Sequence, residues 1–175
     1  EPYRRQRQMC IRDSLYAIGF IDRLPRLISA QAEGCCPINR AIAENKPWEP
    51  MEENTLADSI AVGVPRNADK ALMAIRESNG IVVNVSDAEI MAAQQLLGRT
   101  CGVFGEPAGV TGTAGVKKLC EQGVIGRDDT VVSVVTGNGL KDVANAIKAT
   151  GEPITIPSDM DRLLEAFAEQ GITVE

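Results

Sequence analysis

The spacing of its apolar runs constrains this chain more than any other feature. Short runs that read as strands, Leu27 to Ala32 (LISAQA), Ile81 to Val85 (IVVNV) and Thr130 to Val135 (TVVSVV), stand apart with helix-period segments between them. Strands joined through helices pair in parallel, and short loops leave those helices nowhere to pack except on the faces of the sheet. TVVSVV is apolar at nearly every position, as expected of a strand buried on both faces. The pattern therefore predicts an α/β fold: a three-layer α/β/α sandwich with a mostly parallel sheet.

The helix signals are local. Cys36-Pro37 opens a helix with Ile38, Ala41 and Ile42 on one face, and the stretch 46–54, with two prolines and a cluster of acids, reads as a loop. Asn67 is placed to cap a helix carrying Ala71, Leu72 and Ile75, which ends at Asn79-Gly80. Ser86 and Glu89 have the spacing of a capping box, ahead of a helix with Ile90, Ala93 and Leu97 at helical period. Further helices are expected around Ala114–Glu121, ending at Gly123, and near 141–148 and 159–169. There is no internal repeat.

Composition removes several chemistries. The chain has no histidine, so Ser-His-Asp and Cys-His catalysis, an imidazole base and His-ligated metal are all excluded. A net charge of −6 over 175 residues repels nucleic acid and anionic membranes, which predicts neither as a partner. The longest stretch without a charge, Thr130 to Leu140, has eleven residues, where a membrane-spanning helix needs about 20 apolar ones. The five cysteines (Cys10, Cys35, Cys36, Cys101 and Cys120) include no CxxC, so zinc and redox motifs have no basis. Adjacent Cys35 and Cys36 read as buried thiols acting as small hydrophobes rather than a vicinal pair. A reducing cytoplasm is the expected compartment.

The first fourteen residues, EPYRRQRQMCIRDS, differ from the rest. Four arginines face only Glu1 and Asp13 in an otherwise acidic chain, and no helical or strand periodicity is visible. A basic arm for nucleic acid is one reading and a targeting peptide another, although the apolar run that the latter needs does not follow. The reading preferred here is that RRQRQMCIRDS resembles translated sequencing-adapter sequence. That makes 1–14 a non-native segment and 15–175 the genuine protein, entered part-way through a gene.

Two segments could carry chemistry. In open parallel sheets ligands bind beyond the carboxyl ends of strands, which points to Thr136-Gly137-Asn138-Gly139-Leu140-Lys141-Asp142 after TVVSVV. Its glycines let backbone approach a ligand, its amides suit an anion, and Thr136 puts a hydroxyl at the strand tip. Asp142 stands where a dinucleotide fingerprint needs its third glycine, and there is no G-K-[ST], so T-G-N-G taken alone reads equally as an ordinary tight turn or as a ligand site. The second segment, Gly102 to Gly115, has five glycines among small residues, a composition of close packing or of a ligand pressed against backbone. Glu106 is its one ionisable group, either a ligand contact or a charge favoured by a helix N-terminus. Lys117 and Lys118 read as solvent-facing, and Lys141 as a helix-surface lysine or an anion contact.

Taken together, VFGEPAGVTGTAGVKKL followed by a strand and TGNGLKD resembles the C-terminal part of the threonine synthase family, within the fold-type II pyridoxal-phosphate enzymes. TLADSIAVGVPRNADKALMAIRESNG, VSDAEIMAAQQLLGRTCGVF and GEPITIPSDMDRLLEAF are similar to that family in order and spacing. The resemblance covers about Leu15 to Glu175. It implies pyridoxal 5'-phosphate as cofactor and conversion of O-phospho-L-homoserine and water to L-threonine and phosphate. It places Thr136 beside the pyridine nitrogen, with Gly137 and Glu106 near the ring, and suggests a homodimer. None of the six lysines (46, 70, 117, 118, 141 and 148) matches the one that carries the cofactor, so no catalytic residue is assigned, and the fragment alone is expected to be inactive. Another fold-type II enzyme, such as a threonine or serine dehydratase or a cysteate-synthase-like relative, is the alternative. A non-enzymatic anion-binding α/β domain is the reading from a different class.

Overall fold

Ile28–Ala32 (β1) and Ile81–Val85 (β2) pair in parallel, in register from Ile28↔Ile81 to Ala32↔Val85. A parallel pair needs a long crossover, and this one carries helices α2 (Pro37–Ala43) and α3 (Ala68–Glu77). The structure, a computed structural model, describes residues 4–152, 155, 156, 158–169, 171 and 172. Parts of the expected tail, at 153, 154 and 157, lie outside the described residues, as do residues 1–3 of the basic segment. Helices α1 (Arg4–Ala17), α4 (Asp87–Cys101), α5 (Pro107–Glu121), α6 (Val143–Thr150) and α7 (Met160–Glu169) complete the order.

The period of two along β2 sorts its side chains onto two faces. Val82 packs with Ile38 and Ala41 of α2 and with Leu72 and Ile75 of α3. Ile81, Val83 and Val85 join Ile90 and Ala93 of α4 and Val110, Ala114 and Leu119 of α5. Helices thus cover both faces, and the α/β/α layering expected from the sequence is present, around two strands among the described residues. Buried Asn39 of α2 ties the layers together. Its amide donates to the Val83 carbonyl at 2.9 Å and to Asn84 Oδ1 at 2.7 Å, while its own Oδ1 accepts from Ser29 Oγ.

The capping box forms as read: Ser86 Oγ accepts from the Glu89 amide at 3.2 Å, and Glu89 Oε2 accepts from the Ser86 amide at 2.7 Å. Helix α4 ends at Gly102, whose φ of +67° is left-handed. Asn67 stands at the N-cap of α3 without a side-chain cap bond. Cys35 and Cys36 are buried, and burial pushes both thiols above their ordinary range, which keeps them protonated as the sequence reading expects.

Three expectations need correction, and the basic segment adds a finding of its own. Helix α5 starts at Pro107, not near Ala114, so the glycine-rich stretch is mostly helix. A Cβ on Gly115 would lie 2.8 Å from Ala30 Cβ and 2.9 Å from Val83 Cγ1, so the glycine lets α5 press on the sheet. That contact outweighs a propensity cost of about 1 kcal/mol per glycine.

TVVSVV is not in a strand, and it is not buried on both faces. Its backbone finds no ladder partner among the described residues, and Val132 is 85% exposed. Ser133 and Val135 face the body, where Thr113 Oγ1 lies 3.2 Å from Ser133 Oγ and Val135 packs on the core.

The basic segment is helical from Arg4 onward. Arginine, glutamine and methionine favour helix without any apolar stripe, so a missing period did not exclude one.

Lys118 does not face solvent: its side chain is 25% exposed, and Nζ reaches the Asn84 carbonyl at 2.9 Å, Glu89 Oε2 at 3.1 Å and Glu33 Oε1 at 3.4 Å. Burial alone would lower its pKa, but the two carboxylates outweigh that and raise it. Burial would likewise raise Glu89, yet the Ser86 amide and Lys118 together hold it below the usual carboxylate range. Lys117 is exposed and pairs with Glu121.

Candidate functional site

The turn after Val135 is fastened to the segment that leads into α5. The Gly139 amide donates to the Phe104 carbonyl at 2.8 Å, the Glu106 amide donates to the Gly137 carbonyl at 2.9 Å, and Gly105 and Asn138 form an antiparallel bridge. The sequence dictates how closely these segments meet. A Cβ on Gly139 would lie 2.5 Å from the Phe104 ring, and one on Gly109 would lie 3.0 Å from the Gly137 nitrogen. Asn138 Oδ1 accepts from the Leu140 amide at 2.9 Å and starts a single 3-10 turn, Gly139–Lys141. Asp142 then caps α6 by accepting from the Asn145 amide at 3.2 Å. The Asp that breaks the dinucleotide pattern therefore has a structural task.

Glu106 is the N-cap residue of α5 and is buried, with no side-chain cap bond. Its carboxylate lies over Gly137, in the space that an added Cβ would take. Lys141 Nζ stands 3.7 Å from Glu106 Oε2. The position fits the reading of Glu106 as a charge favoured by a helix N-terminus, and the same carboxylate walls the turn. Thr136 is exposed, and its hydroxyl has no hydrogen bond among the described residues. Thr136, Gly137 and Glu106 are thus brought together from segments thirty residues apart in sequence. Among the lysines, Lys141 reaches this site through Glu106, whereas Lys46 pairs with Glu44 and Lys148 with Asn145.

Two participants escaped the sequence reading. Phe104 was seen only as part of the glycine-rich stretch, although its carbonyl and ring both seat Gly139. Gln94 of α4 is fully buried, and its Nε2 donates to the Gly105 carbonyl at 2.8 Å. Its only sequence signal is a polar residue within the apolar spacing of Ile90, Ala93 and Leu97. A surface groove lined by Lys46, Trp48, Asp69 and Arg76 lies by α2 and α3, away from the turn. The described residues hold no group of three or more His, Cys, Asp or Glu side chains arranged for a metal. No helix among them is long and apolar enough to cross a membrane.

A family model described as "Pyridoxal-phosphate dependent enzyme" matches residues 15–137, a span that includes Glu106, Thr136 and Gly137. The chain belongs to the pyridoxal-phosphate dependent enzyme family. It is 46% identical over 152 residues to a threonine synthase of Methanosarcina acetivorans, covering 86% of this chain and 38% of that protein. A threonine synthase of Methanocaldococcus jannaschii is 44% identical over 155 residues, with the same shares covered. The chain therefore spans well under half the length of these curated relatives. Among solved structures, maize serine racemase superposes with a TM-score of 0.59 at 17% identity, covering 91% of this chain and 43% of that one. Threonine synthase from Escherichia coli gives a TM-score of 0.59 at 17% identity, covering 84% and 38%. At that identity the superpositions speak for the fold, which is that of fold-type II enzymes.

Proposed function

We propose that residues 15–175 are part of a threonine synthase and that Thr136, Gly137 and Glu106 form the edge of its cofactor pocket, against the pyridine ring of pyridoxal 5'-phosphate. The observation that carries this is the state of Thr136. A turn locked to the base of α5 ends in an exposed hydroxyl that has spent no hydrogen bond elsewhere among the described residues. A neutral hydroxyl suits a ring nitrogen because, unlike a carboxylate, it does not force that nitrogen to protonate. The residues present therefore fit the ring end of the cofactor. When bound, the cofactor supplies an electron sink for carbanion chemistry.

The chain's own residues do the positioning. Thr136 holds the ring nitrogen, Gly137 leaves room for the Glu106 carboxylate, and Lys141 balances that carboxylate's charge at 3.7 Å. The reaction proposed is conversion of O-phospho-L-homoserine and water to L-threonine and phosphate, following the relatives' name and the TGNGLKD resemblance. The lysine that carries the cofactor and the loop that cradles its phosphate are assigned to the part of the relatives' length that this chain does not cover. Residues 1–14 are placed outside the functional unit, the chain alone is expected to be inactive, and the whole enzyme is taken to be a cytoplasmic homodimer.

A chimera tests this. The stretch of the Methanosarcina acetivorans enzyme that matches this chain is replaced by residues 15–175. The expected result is a protein that retains pyridoxal phosphate and releases phosphate and threonine from O-phospho-L-homoserine. Release of ammonia and a 2-oxo acid from threonine or serine instead would reassign it to the dehydratases. A chimera that folds without binding the cofactor would overturn the reading.

A further inference from the structure

We infer that Gln94 is a positioning residue for the Thr136 turn, acting through the peptide group between Gly105 and Glu106. This rests on the reading above, in which that turn is the ring end of the cofactor pocket.

Gln94 sits on the buried face of α4, fully enclosed beside Ile90 and Ala93. An amide in such a place costs stability unless its polar atoms are bonded. Only half of this one is: Nε2 donates to the Gly105 carbonyl at 2.8 Å, while Oε1 has no hydrogen-bond partner among the described residues. A half-satisfied buried amide is a poor device for stability alone. What it does is directional. The Gly105 carbonyl and the Glu106 N–H belong to one peptide group. Gln94 holds the oxygen end, and the N–H end donates to the Gly137 carbonyl at 2.9 Å. Rotation of that peptide plane would therefore move Gly137, and with it the adjacent Thr136 hydroxyl. The bridge between Gly105 and Asn138 and the bond from the Gly139 amide to the Phe104 carbonyl extend the same clamp. A rigid helix thus sets the orientation of a turn that has no strand ladder of its own.

Hydrogen exchange on the full chain, read residue by residue by NMR, tests this without any cofactor. Gln94→Met keeps the side chain's length and removes both the bond and the orphaned oxygen. The Glu106 and Gly139 amides are expected to exchange at least about tenfold faster, as local opening of the turn becomes easier. The Ile81 and Glu33 amides, bonded at the two ends of the β1–β2 pair, should change by less than about twofold. Unchanged rates at Glu106 and Gly139, or equal acceleration at all four amides, would overturn the inference. Should Gln94→Met fail to fold, the unmodified chain still decides. The Gln94 side-chain amide should exchange slowly and show a coupling across the hydrogen bond to the Gly105 carbonyl; fast exchange with no coupling would refute the role. Because these rates involve no cofactor, the chimera can fail while this result stands, and the reverse.

Discussion

Two valine-rich runs of nearly the same composition meet different fates in this molecule. Ile81 to Val85 lies in a ladder with β1 and has helices on both faces, so that Val82 and Val83 enter separate cores. Thr130 to Val135 has α5 on one side, no ladder partner among the described residues, and Val132 turned outward. Apolar, β-branched sequence thus makes an extended segment, but a neighbouring backbone makes it a strand. What fixes the second run is its end, where the glycine turn is clamped to Phe104, Gly105 and Glu106.

The comparison can be broken most forcefully in the packed region. Ile90 is fully enclosed between the sheet and α5, so Ile90→Ala should cost about 2–5 kcal/mol in urea unfolding. A cost no larger than that of a surface change would mean that the body is not the rigid half. Ser86→Ala removes the serine half of the capping box and should cost about 1 kcal/mol by the same measurement.

The tie between Lys118 and Glu89 adds a pH dependence with a definite sign. Glu89 is depressed on folding, so its contribution is present at neutral pH and disappears as acid carries the solution down through its lowered range. Lys118 is raised, so its contribution is lost only as pH climbs past the usual lysine range. The stability gap between the unmodified chain and Lys118→Met should therefore hold at neutral pH and shrink below about pH 4. A gap that stays constant into acid would remove the tie. The smallest effect is expected in the open run: Val132→Ser should alter stability by no more than about 0.5 kcal/mol.

The features legible in the sequence were those whose causes are local. Ser86 and Glu89 announce the start of α4, Pro37 opens α2, and Asn79-Gly80 turns the chain into β2. The layered α/β class followed from the order of such signals. The start of α5 was hidden because glycine lowers helix propensity locally, while the gain comes from Ala30 and Val83, far away in sequence. Lys118 looked solvent-facing for the same reason, its partners Glu33, Asn84 and Glu89 being supplied by other elements. At the site, TGNG and Glu106 were each visible, whereas the hydrogen bonds joining them were not. Gln94 gave no more than an amide in an apolar stripe.

Cofactor affinity in the chimera puts the greatest strain on this account, because the proposed function gives the ring nitrogen to the Thr136 hydroxyl. Equilibrium binding of pyridoxal phosphate should weaken about three- to tenfold in Thr136→Ala, the worth of one hydrogen bond, and return to the parent value in Thr136→Ser. Equal affinity in all three proteins would contradict it.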